Sequence, residues 1–216
     1  MTPIRTSRLN KIWRRLRRSA RALRRDASGV AAVEFAMIFP LMLVAFFGTV
    51  EICAAVATDR KVTLIARTIS DLTSQAASSV DAALTVDFSY GLYIISPYSS
   101  SPLKAQVSEI YVDSNGKATV QWSQGATYIG NVVTLVSSSR NRGDDVSTVV
   151  PSALLVKQTY LIFSEVSYQY LPVGGGYVMS KTGINLSDVS YTRPRQNTCL
   201  TYKGYPVLVA NQCPLT

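Results

Sequence analysis

Histidine is absent from this chain of 216 residues. That removes Ser/His/Asp and Cys/His nucleophile systems and every His-based metal site. Cysteine is scarce, with three in all. Cys53 follows an apolar run, whereas Cys199 and Cys213 flank a Pro- and Tyr-containing stretch near the C-terminus. That spacing, in a polar and β-rich segment, predicts a disulfide if the segment lies outside the cytosol. Acid is missing from residues 1–25, which hold ten Lys or Arg. Beyond them 12 basic and 13 acidic side chains nearly cancel, so the net charge of +9 belongs to one tail and not to a nucleic-acid-binding face.

Charge is missing again from residues 35–50. Extended back to Val30, the apolar run holds 21 residues broken only by Glu34. As a helix it would span about 31 Å, the thickness of a bilayer's hydrocarbon core. Pro40 falls inside it, and a membrane helix tolerates the lost N–H at the expense of a kink. With ten cations ahead of the span, the N-terminus is expected in the cytoplasm and the chain after about residue 58 on the far side. The far side is where a Cys199–Cys213 bond would survive. Cytoplasmic retention and attraction to anionic lipid explain the basic tail without nucleic acid. A signal peptide cut after Ala57, at Ala55-Val56-Ala57, is the rival reading of the run. The long basic region, Glu34 and Glu51 at the two ends of the run, and the helical pattern beyond Ala57 speak against it.

No Gly or Pro occurs between Thr49 and Gly91. Val62, Ile65, Ile69 and Leu72 recur at helical spacing, so one helix is expected from about Ser28 to about Ser79, its apolar stripe serving as core. From residue 81 the period changes to two: Leu84, Val86, Phe88 and Tyr90 alternate with polar residues and predict a half-buried strand. Asn115-Gly116 between two alternating runs predicts a hairpin. A third extended run covers residues 154–170, with Val166, Tyr168 and Tyr170 on one face. Gly174-Gly175-Gly176 breaks it, and residues 207–210 add a short final strand. The fold class is therefore α+β: a long N-terminal transmembrane helix continuing into an amphipathic helix, then an antiparallel β-sheet domain with one disulfide.

Several motifs have plainer explanations than function. Arg142-Gly143-Asp144 reads as a solvated turn, and Asp113 and Asn115 as hairpin residues, with no downstream Glu to close a calcium loop. Asn185-Leu186-Ser187 is a glycosylation sequon in form only. The triple glycine lacks the strand–helix context of a phosphate loop. No cluster supports catalysis, a cofactor, a metal or a small-molecule substrate.

Glu34 remains. A carboxylate inside a membrane span costs about 3 kcal/mol unless it is paired. A cut between Gly29 and Val30 would remove the basic leader and free an α-amine on Val30, one helical turn from Glu34. Amine and carboxylate would neutralise each other within one chain or between neighbours, and the contact would fix axial register. Snorkelling of Glu34 toward the interface beside Arg24 and Arg25 explains it otherwise.

The run Arg25-Asp26-Ala27-Ser28-Gly29-Val30-Ala31-Ala32-Val33-Glu34-Phe35-Ala36, followed by Pro40-Leu41, resembles the TadE/TadG-like family of the bacterial tight-adherence (Tad, Flp) pilus. Gly48-x-x-Glu51 and the continuing amphipathic helix fit as well. So do Asn185-Leu186-Ser187-Asp188 and Tyr191-Thr192-Arg193-Pro194-Arg195. Phe35 stands where the family more often has Tyr. The resemblance implies a minor pseudopilin of a type IVb pilus, cut by prepilin peptidase between Gly29 and Val30 and held in the inner membrane. It also implies partners among other pilins, pseudopilins and the Tad secretion machinery, and a role in adhesion and biofilm formation. Some members stay unprocessed and anchored. The expected divisions are a leader over 1–29, a transmembrane helix over 30–57, an amphipathic helix over 58–80 and an exported β-rich domain over 81–216.

Overall fold

Apolar side chains at helical spacing build the first element, α1 (Ser28–Ser74), a single helix of 47 residues that runs through Pro40. The computed structural model describes residues 28–172, 183–207 and 213. The basic leader, the triple glycine and residues 208–210 of the expected final strand lie outside the described residues. The chain divides into two units at Val50/Glu51. In the first, the described residues are all helix.

The second unit starts on α1 and continues with α2 (Leu84–Ile95), β1 (Leu103–Val112), β2 (Ala118–Ile129) and β3 (Val132–Val136). A 3-10 turn (Ser152–Leu154), β4 (Thr159–Tyr170) and β5 (Ile184–Thr192) follow. The strands form one antiparallel sheet in the order β3-β2-β1-β4-β5. The expected hairpin is the β1–β2 turn. Asp113 accepts the backbone N–H groups of Asn115 and Lys117, each at 2.8 Å, and Gly116 takes the left-handed conformation at φ +88°. A bulge at Glu109/Ile110 shifts the register once.

Alternation then sorts the sheet. Leu103, Ala105 and Val107 of β1, with Ile162, Val166 and Tyr168 of β4, face the helices and pack with Val62, Ile65 and Ile69 of α1. Three residues of the stripe expected as core are core, whereas Leu72 is only half-buried. On the opposite face Ile110, Val120, Leu161 and Phe163 pack beneath Val146 and Val150 of the β3–β4 connection. A third cluster joins Tyr111 and Tyr160 to Cys199 and Cys213, which are disulfide-bonded with Cα atoms 5.8 Å apart. Closing a loop of about 15 residues stabilises by about 3 kcal/mol.

Three sequence expectations are corrected. α1 ends at Ser74 and not near Ser79, where Ser79 instead makes a parallel bridge to Thr201. More consequentially, residues 84–95 are helix and not strand. Leu84 and Phe88 fit both periods, four apart as well as alternating. The buried set is Leu84, Asp87, Phe88, Gly91 and Ile95, which only a helix places on one face. Val86 and Tyr90, buried in the strand reading, are exposed. Two contacts select the helix. Gly91 lets it approach β2 so closely that a Cβ would lie 2.8 Å from the Tyr128 hydroxyl. At its C-terminus the Lys61 ammonium donates to the carbonyls of Ile94 (2.7 Å) and Ser96 (2.5 Å), satisfying groups the helix leaves open. The segment assigned to a β-rich domain thus begins with a helix. The third extended run starts later than its apolar pattern, at Thr159, after the 3-10 turn takes Ser152–Leu154.

Candidate processing and assembly segment

The motif residues occupy the first two turns of α1. Gly29, Val30, Glu34 and Phe35 are all exposed, and a Cβ on Gly29 would meet nothing within 4 Å. Val30 and Glu34 are four apart on a continuous helix and therefore share a face. No ion pair joins Glu34 to another described residue. The Phe35 ring lies tilted against that of Phe39 along the helix, with ring centroids 5.3 Å apart. Thr49 turns its hydroxyl back on the Ala45 carbonyl at 2.8 Å, which leaves that stretch without a free side-chain donor. The helix is long and apolar enough to cross a membrane, and its apolar window is exposed among the described residues. An apolar helix exposed on all sides needs lipid or partner helices around it.

The second unit holds charged groups of its own, and several of them fasten the fold. Glu109 on β1 is completely buried. Its carboxylate accepts the Leu200 backbone N–H at 2.6 Å and the Trp122 indole N–H at 3.0 Å, and the same indole reaches the Leu200 carbonyl at 2.7 Å. Burial pushes Glu109 up to about 8, against the pull of the two donors. Asp87 on α2 is raised to about 6, again by burial, with the Thr73 hydroxyl opposing. On the other face of the sheet Arg140 grips Glu165 with two bonds of 2.6 Å, and Gln106 donates to Glu165 at 2.5 Å. No group of acidic or cysteine side chains able to hold a metal occurs among the described residues.

Sequence reading singled out none of these groups. Glu109 was legible from parity, since it falls on the same face of β1 as Val107 and Tyr111. Asp87 was hidden by the strand reading, which put it on the solvent side. The Arg142-Gly143-Asp144 tripeptide, read as a turn, lies in one. Arg142 lies over the Tyr205 ring, 3.9 Å from its centroid, and Asp144 accepts the Asn141 N–H at 2.7 Å, so this tripeptide is tied into a packed turn.

The family model for TadE-like protein matches residues 29–70, from the glycine of the motif to the last turns of α1. No curated protein matches the chain. Nor does any solved structure. The matched stretch contains both the exposed apolar helix and the buried stripe Val62, Ile65 and Ile69. Residues 29–70, 42 of the chain's 216, are similar to the TadE-like family.

Proposed function

We propose that the chain is a membrane-anchored minor pseudopilin that serves assembly of a tight-adherence pilus and has no catalytic role. The reading rests on one coincidence. The TadE-like match begins at Gly29, where the apolar helix begins and where a cut would place a new amine one turn from Glu34. In this proposal prepilin peptidase cleaves between Gly29 and Val30. The basic leader stays cytoplasmic and the second unit is exported, as the ten leading cations require. Glu34 pairs with the Val30 amine of its own chain or a neighbour's, and Phe35 packs beside it. Other pilins, pseudopilins and the Tad secretion machinery are the partners, and surface adhesion and biofilm formation the outcome.

Release after Ala57 fits the packing poorly. The Tyr170 hydroxyl donates to Glu51 at 3.1 Å, and Ala54 and Ala55 pack on the core. A cut there would strip these groups from the unit they help to close. Mass spectrometry of the membrane-fraction protein tests the proposal directly: a mature N-terminus at Val30 is expected, and Thr58 or an intact Met1 would overturn it. Glu34→Ala is expected to insert normally yet fail in pilus assembly. Normal pilus output from that variant would leave Glu34 only a snorkelling role.

A further inference from the structure

The charges of the second unit are distributed unevenly along the sheet. At one end lie the β1–β2 turn and the β3–β4 connection, with Asp113, Lys117, Arg140, Arg142, Asp144 and Asp145. The other end gathers the start of β1, the β2–β3 turn, the end of β4 and the start of β5, as the strand registers require. The C-terminus of α2 and the loop after it reach the same end. There the Tyr168 hydroxyl donates to the Ser99 carbonyl at 2.9 Å, and Ser100 bonds the Gly130 carbonyl.

This second end is almost without charge. Residues 88–103, 118–139, 166–172 and 183–187 contain no Asp, Glu, Lys or Arg, and the charges beside them are Lys104, Asp188, Glu51 and Lys61. Instead it displays large apolar and aromatic side chains to solvent: Tyr93 is 76% exposed, Ile129 70%, Val132 62% and Leu171 57%. A polar-edged hollow of about 650 Å³ lies among them, lined by Leu92, Tyr93, Pro97, Tyr98 and Asn131. The chain also enters the unit at this end. Glu51 meets Tyr170, and Tyr98 reaches the Ala54 carbonyl. Glu51 directly follows the apolar run, and the next charge on the helix, Asp59, is about 12 Å further along.

We infer that this tyrosine-bearing, charge-poor rim is a lipid-contact surface, seated in the interfacial layer of the bilayer from which the chain emerges. Tyr93, Tyr98 and the apolar tips at Ile129, Val132 and Leu171 suit that layer, where one part of a side chain meets acyl chain and another meets water. Continuity along the chain selects lipid over a distant partner, since the rim begins at the first residue past the apolar run. The inference rests on the membrane reading of that run and goes beyond the pseudopilin proposal, which assigns the second unit no lipid contact.

The test uses the full chain in phosphatidylcholine vesicles, with Cys53→Ser and single labelling cysteines replacing Tyr93, Ile129, Ser114 or Phe47. An environment-sensitive fluorophore on each is read against shallow lipid-borne quenchers. Labels at 93 and 129 are expected to be quenched several-fold more than the label at 114. Quenching at 47 together with none at 93 and 129 would overturn the rim and leave the membrane span standing. No quenching at 47 would remove the span and the rim with it. Shielding at 93 and 129 that fades as protein is diluted in lipid would mean a second copy covers the rim, and would also overturn the inference.

Discussion

The two halves of α1 are one helix with two kinds of surface. From Phe35 to Phe47 its side chains are apolar on every face and exposed. After Glu51 the apolar residues narrow to a stripe, and Val62, Ile65, Ala66 and Ile69 are completely buried while Arg60 and Arg67 face out. A helix that must be apolar all round is written for a surrounding medium; one with a stripe is written for a neighbour. The comparison separates what the chain makes for itself from what the membrane or its partners must supply.

The comparison can be broken first by pH. Glu109 and Asp87 have pKa values of about 8 and 6, above their ordinary values of 4.5 and 3.8. Between those limits the native state holds protons that the unfolded chain releases, so stability falls as pH rises from about 4.5 to about 8. Glu109→Gln should flatten most of that slope in urea titrations of the second unit, and an unchanged slope would remove Glu109 as its source. Phe88→Ala empties a fully buried site where α2 meets the sheet and should destabilise by about 4 kcal/mol. Replacing Cys199 and Cys213 by Ala should destabilise the same transition by about 3 kcal/mol, read as a shifted urea midpoint. Arg140→Ala breaks a partly exposed pair and should lower stability by about 1 kcal/mol. Smallest of all, Phe46→Ala on the apolar half should leave unfolding of the second unit within about 0.5 kcal/mol. A large shift there would mean that the two halves are not independent.

Legibility in the sequence followed the same division. The apolar run, the stripe and the Asn115-Gly116 hairpin declare themselves through local pattern, because one medium or one turn decides each. Residues 84–95 do not, because the apolar positions Leu84 and Phe88 satisfy both periods. The choice is made by Gly91 against Tyr128 and by Lys61 at the helix end, contacts distant in sequence. The disulfide could be expected from spacing and compartment, but Glu109 beneath it could be found only by following strand parity across an apolar face. The motif at Gly29 was legible as chemistry, a carboxylate one turn from a bond whose cleavage would make an amine.

The last stretch of the chain laces back over the link between α1 and α2. Arg195 donates its backbone N–H to the Ser74 carbonyl and its guanidinium to Asp71, and Asn197 donates to the Ala77 carbonyl. Thr201 exchanges backbone bonds with Ser78 and Val80, and the Lys203 N–H reaches Asp81 at 2.8 Å. Synthesis runs from the N-terminus, so both helices are made long before the residues that clasp them. The clasp is written more than a hundred residues downstream, so the order of synthesis is also an order of closure. Until the final segment is made, the interhelical link stays open to proteases.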